Sequence, residues 1–371
     1  MGQAVSPAKI MALKKFELYN ALAEGRLCDY THRMPQFFGQ GKPPLGVVFD
    51  SDMGTGIDDA LALAMLFGFE GKNESRVISI SVSNSNLQAA AFCDAVARFY
   101  SEPPGGASLG AFARPAMPIG MALNARTSRD APMLVAPKYP HAIEKLNDTA
   151  DVAALIRNAL SAQFDQNAVV VVTGPATNLA QVLQLPGAVE LIAQKVQFLC
   201  VGADENGSLE QTGRDIAAAR KLFAEWPTPI VAAGQEIGNA LLFPGASIEK
   251  DFSWSPAHPI ADAYRAFRPM PYDAPSTAMA AVLYAVRAKE NFFKLSEPGT
   301  IGVQDDGRLK LTPSPEGKHR RLILDPAQSE RIVQIYTEMA SAKPVPKQPR
   351  FRGPQKKEAE PPKATPEKKL P

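Results

Sequence analysis

The chain has 371 residues, 45% of them hydrophobic and 21% charged, with a net charge of +2. That suffices for one large α/β domain or two smaller ones, and no run of about twenty apolar residues exists to span a membrane. The charge is unevenly spread: residues 343–371 hold eight prolines, nine Lys or Arg and three Glu, a net +6, leaving −4 for residues 1–342.

Residues 1–44 are expected to form an N-terminal extension, partly helical or irregular, with a short helix near residues 10–23. It lacks the seven-to-fifteen-residue apolar core of a secretory signal. The apolar run Leu45-Gly46-Val47-Val48-Phe49 then predicts a buried strand, and residues 60–69 a helix. Between them lies Asp50-Ser51-Asp52-Met53-Gly54-Thr55-Gly56-Ile57-Asp58-Asp59, four carboxylates in ten residues. The plainer reading makes Asp58 a helix N-cap and Asp59 a first-turn acid complementing the helix dipole. It accounts for those two and not for Asp50 and Asp52. Carboxylates this close repel unless something positive joins them, and a hard divalent cation with oxygen ligands is the simplest candidate.

Further strands are expected over residues 77–82, 168–173, 196–201 and 229–233, all short and without polar alternation. Helices are expected over 87–99, 216–225 and 277–286. Strands and helices in alternation predict an α/β fold: a Rossmann-like open, mostly parallel central sheet flanked by helices, occupying residues 45–340. In such a sheet the ligand belongs outside the carboxyl ends of the strands, where the acidic run begins. Taken alone, Asn86 reads as a turn residue, Asn178 as an early helix or cap residue, and Asp273 as a cap for a helix starting near Ser276.

Residues 341–371 are expected to be a disordered Pro/Lys-rich tail. No aromatic residue follows Phe351 to provide a stacking platform, so no nucleic-acid partner is expected. Cys28, Cys93 and Cys200 are scattered, as are His32, His141, His258 and His319, which argues against disulfides and zinc. Scattered thiols and the missing signal point to the cytoplasm, an expectation that a different true start would change.

The stretch VVFDSDMGTGIDDALALAM resembles the calcium-dependent nucleoside hydrolases, the inosine-uridine-preferring superfamily, and within it the bacterial D-x-D-M-G-x-x-x-D-D branch. VISISVSNSN, VVVVTGPATNLAQVL, DIAAARKLFAEWPTPIVAAGQEIG and PYDAPSTAMAAVLYAV are similar to later segments of that family, in order, across residues 45–325. The resemblance implies an N-glycosidase of purine and pyrimidine salvage, in which water activated on Ca2+ attacks the anomeric carbon of a nucleoside-type small molecule. It implies Asp52, Asp59, Asp273 and the backbone carbonyl of Thr173 as metal ligands, with Asp52 also taking the proton from water. Asp50 becomes a supporting residue that fixes the loop, and Asp58 and Asn86 sugar contacts. It also implies a homodimer or homotetramer, and some relatives of the branch are exported.

Departures from the family pattern are equally specific. The family's E-x-N ribose motif falls on Leu209 and Gln211, leaving Glu210, Asn206 and Gln211 as substitute contacts. A histidine that serves some relatives as leaving-group acid is Tyr272 here, a poor proton donor at neutral pH unless tuned, though able to stack on a base. A calcium-binding relative with weak or no turnover, acting in ligand binding or assembly, is therefore the alternative. A haloacid-dehalogenase-type phosphatase, which also places D-x-D after a strand, is disfavoured by the tandem Asp58-Asp59 and by GPATN.

Overall fold

The apolar runs become strands whose two faces are both covered. In chain order the elements are β1 (Leu45–Ser51), α1 (Asp58–Gly71), β2 (Ser75–Val82), α2 (Leu87–Ser101), β3 (Ile119–Met121), α3 (Val152–Ser161), β4 (Ala168–Val172), α4 (Thr177–Val182), α5 (Ala188–Lys195) and β5 (Val196–Ala203). There follow α6 (Ile216–Glu225), β6 (Ile230–Gly234), α7 (Gln235–Ala240), α8 (Gly245–Lys250), α9 (Pro259–Phe267) and α10 (Thr277–Arg287). β7 (Phe293–Leu295), β8 (Gly299–Val303), β9 (Leu309–Pro313), β10 (His319–Leu324) and α11 (Ser329–Ala340) follow. This computed structural model describes residues 43–101, 117–122, 132–203 and 216–345. The expected N-terminal extension up to residue 42, most of the Pro/Lys-rich tail, and Cys28 and His32 lie outside them.

Among the described residues the sheet has ten strands in the order β3-β2-β1-β4-β5-β6-β10-β8-β9, with β7 paired to β10. Pairing is parallel from β3 through β6 to β10 and antiparallel only among β7 to β10. Chain order runs outward in both directions from the β1/β4 pair. That pair is the topological switch point, where the connections from neighbouring strands leave for opposite faces and open a crevice at the carboxyl ends.

Period-2 alternation sorts the strand residues between two cores. Val47, Phe49, Val169 and Val171 join the core containing α1, α2 and α10. Val48, Val170 and Val172 join the core containing α3 to α6. Asp50 follows Val48 by two residues, so it faces the second core, opposite Ser81 on β2 and Val172 on β4. Helix α1 is apolar around its whole circumference because it is covered on every side, with residues 59–70 all buried. Gly68 lets it approach α11: a Cβ there would collide with the Met339 carbonyl oxygen. Cys93 and Cys200 are free and buried. Among the described residues no helix is long and apolar enough to cross a membrane.

Candidate active site at the carboxyl ends of β1 and β4

Where β1 ends, the apolar run gives way to acids that the fold buries. Asp50 is fully buried, Asp52 is 2% exposed and Asp59 4% exposed. Each is positioned by a different element. Asp50 is still in β1 and accepts at Oδ1 from Ser81 Oγ (2.5 Å) and Asn178 Nδ2 (2.7 Å), its Oδ2 having no partner among the described residues. Asp52 lies one residue past the strand, in a turn whose Thr55 N and Oγ1 both donate to the Asp52 carbonyl (3.2 Å each). Asp59, in the first turn of α1, accepts at Oδ1 from Thr173 Oγ1 (2.5 Å).

The turn after β4 closes the site from the other side. Thr173 N donates to the Asp50 carbonyl (2.8 Å), extending the β1/β4 ladder by one bond. Gly174 then passes so close to β1 that a Cβ would lie 2.5 Å from Asp52 N, 2.6 Å from Ser83 Oγ and 3.0 Å from Ser51 C. A glycine is required there by the approach of two backbones.

Burial raises these acids first, and their own repulsion adds to it. The Asp50 carboxyl is pushed up to about 7 by burial, opposed by its bonds from Asn178 and Ser81. Asp58 is pushed up to about 6 by burial and by the charge on Asp52, opposed by the bond from Ala278 N. Asp59 is held well above the usual carboxylate range by burial, then by Asp58 and Asp52. No described lysine or arginine is among the groups acting on them. Such a set of oxygen donors, short of positive charge, fits a hard cation.

Of the expected ligand residues, Thr173 hydrogen-bonds to Asp59, and Asp52 lies near enough for its charge to raise Asp59. Asp273 lies on the exposed segment before α10, where its Oδ1 accepts from Gly245 N (2.8 Å) at the start of α8. As the side chains stand, no group of three or more His, Cys, Asp or Glu among the described residues is close enough to hold an ion. The cap expected from Asp273 therefore serves α8 rather than α10. The α10 start is capped instead by Asp58, whose Oδ2 accepts from Ala278 N (3.1 Å) and so ties the beginnings of α1 and α10.

Two other predicted residues are engaged locally. Asn86 Oδ1 accepts from Gln88 N (3.0 Å) and caps α2, whereas buried Asn84 reaches the acidic loop, donating Nδ2 to the Met53 carbonyl (3.0 Å). The Tyr272 hydroxyl donates to the Tyr264 carbonyl (2.7 Å), Tyr264 donates to the Tyr272 carbonyl (2.8 Å), and the rings stack at 4.3 Å. Burial pushes the Tyr272 hydroxyl further up, away from the range of a proton donor at neutral pH. Asn206, Glu210 and Gln211 lie outside the described residues.

Sequence reasoning missed Ser81, Ser83 and Asn84 as parts of the site and Asn178 as the partner of Asp50. A signal was present: Ser79 and Ser81 interrupt the apolar run of residues 77–82 at alternate positions, and both are buried. Of these, Ser81 reaches a polar partner across the ladder, donating to Asp50 Oδ1.

No protein-family model matches the chain, and no curated protein matches it in sequence. Solved structures do match. An inosine-uridine preferring nucleoside hydrolase from Bacillus anthracis is 14% identical, covers 80% of this chain and 99% of its own, and superposes with a TM-score of 0.54. A purine-preferring ribonucleoside hydrolase from Gardnerella vaginalis is 17% identical over 80% of this chain and 98% of its own, with a TM-score of 0.59. The type III effector protein XopQ, complexed with adenosine diphosphate ribose, is 12% identical over 82% and 94%, with a TM-score of 0.55. The chain therefore has the fold of the nucleoside hydrolases, with its buried acids at that fold's β1/β4 switch point.

Proposed function

We propose that this chain hydrolyses the N-glycosyl bond of a nucleoside-like small molecule. The observation that carries the reading is the convergence of Asp50, Asp52, Asp58, Asp59 and Thr173 at the switch point of a nucleoside-hydrolase fold, where burial raises the carboxyls of Asp50, Asp58 and Asp59. Asp52, Asp59, the Thr173 backbone carbonyl and Asp273 would hold calcium. Bound there, calcium would keep the carboxylates ionised and make an adjacent water more acidic. Asp52 takes the proton from the attacking water, whose oxygen bonds to the anomeric carbon. The electrons of the breaking C–N bond pass to the base nitrogen. Asp58 and Asn86 accept from and orient the sugar hydroxyls, and Asn206, Glu210 and Gln211 supply the remaining contacts. With its hydroxyl held by Tyr264, Tyr272 serves the leaving base through its ring face, and acid help from it requires that bond to open.

The test is release of reducing sugar from a panel of ribosides and deoxyribosides, with calcium and separately with chelator. Chelator-sensitive release supports the reading and names the preferred base. The second reading, a calcium-binding relative with little turnover, is favoured by one observation: Asp58, Asn86 and Tyr272 each already make a hydrogen bond within the protein. Calcium binding with no release from any member of the panel would select it.

A further inference from the structure

We propose that Asn178 is the positioning residue of the acid site, holding the two chain segments that carry its ligands in a fixed relation; this rests on the calcium-dependent reading above. Asn178 is fully buried in the first turn of α4, and its Nδ2 donates to Asp50 Oδ1 at 2.7 Å. Asp50 stands two residues before Asp52. Asn178 stands five residues after Thr173, with the Gly174-Pro175-Ala176 turn between them. One side-chain bond therefore joins the Asp52 segment to the Thr173 segment. The Thr173–Asp59 bond joins that second segment to α1.

Backbone pairing alone does not secure this relation. The ladder between β1 and β4 ends with Thr173 N on the Asp50 carbonyl (2.8 Å), and beyond it the two segments turn into separate helices. Ser81 Oγ donates to the same Asp50 oxygen (2.5 Å), so the carboxylate is gripped from β2 and from α4 together. Packing is a poor explanation for an asparagine at this place. Its own Oδ1 is buried without a partner among the described residues, a cost that an apolar side chain would avoid. What the amide provides is the bond to Asp50.

The experiment is calorimetric titration of calcium into the full chain, beside the melting temperature of each protein in chelator. The proteins are wild type, Asn178→Ala, Ser81→Ala, Asp50→Asn, and the reversed pair Asp50→Asn with Asn178→Asp. Asn178→Ala is expected to bind calcium about 10- to 100-fold more weakly while still folded, the usual effect of removing a group that orients metal ligands. Ser81→Ala weakens binding less, in the same direction. The reversed pair, which re-forms an amide–carboxylate bond, binds more tightly than Asp50→Asn alone, a rescue that general destabilisation does not produce. Wild-type affinity in folded Asn178→Ala overturns the assignment and leaves the hydrolase reading intact. Should Asn178→Ala fail to fold, a folded reversed pair no better than Asp50→Asn overturns it instead. A wild-type protein that takes up no calcium overturns the calcium reading itself, and the role of Asn178 with it.

Discussion

Replacing Gly174 by alanine tests whether the β1 and β4 ends are as tightly apposed as the site requires. A Cβ at 174 would lie 2.5 Å from Asp52 N and 3.0 Å from Ser51 C. Both are backbone atoms, so no rotamer change relieves the overlap, and ordinary contact would need roughly 1 Å of separation between the two turns. Forcing one methyl into close-packed surroundings costs about 1–3 kcal/mol. At roughly 2–4 °C per kcal/mol for a large domain, the melting temperature should fall by several degrees. The same displacement carries Thr173 away from Asp52 and Asp59, so calcium affinity should fall by about tenfold or more. Thermal unfolding followed by circular dichroism gives the first quantity and calorimetry the second. An alanine variant with wild-type melting and wild-type affinity would refute the close apposition. Lowered stability with unchanged affinity would refute its connection to the site.

Other residues give separate outcomes. Asp59 is held well above the usual carboxylate range by burial and its acidic neighbours, so its charged form opposes folding once the pH exceeds the unfolded value near 4. Asp59→Asn should therefore raise the melting temperature in chelator at pH 7.5 and abolish the rise that calcium produces in wild type; a lowered melting temperature would contradict this. His258 is enclosed by Phe99, Phe252 and Trp254, its Nδ1 accepts from Ile260 N, and burial lowers it to about 3. A histidine kept neutral contributes fully above its unfolded pKa near 6.5 and loses stability as the pH falls from there toward 3, by at most about 1.4 kcal/mol per pH unit. Denaturant titrations of His258→Asn should lose that component of the acid slope, and an unchanged slope would show that His258 is protonated in the fold.

Most of the parallel part of the sheet was legible because β1, β4, β5 and β6 are largely apolar runs flanked by helices, and β2 keeps enough apolar residues to be read with them. The expected 77–82 and 196–201 appear as Ser75–Val82 and Val196–Ala203. β3 has three residues and carried no pattern of its own. The antiparallel group β7 to β10 was not read either. Its strands are partly exposed and mix charged with apolar residues, as in KLTP and HRRLIL, so neither a buried run nor a clear alternation marks them. At the site, the acids were legible because four carboxylates in ten residues are costly without a purpose. Their partners were not. Asn178 looked like a helix cap and Asp273 like the cap of α10, because one-dimensional spacing cannot tell a local hydrogen bond from one that crosses between elements. Asp58 shows the difference, since its oxygen accepts from Ala278, 220 residues away.

The central claim is that Asp52, at the end of β1, takes the proton from a water that attacks an N-glycosyl bond. Asp52→Asn preserves shape and removes the base. With the best riboside of the panel and saturating calcium, sugar release should fall by about 10²-fold or more, as expected for loss of a general base, while the melting temperature stays within a few degrees of wild type. Release by folded Asp52→Asn at the wild-type rate would contradict the account.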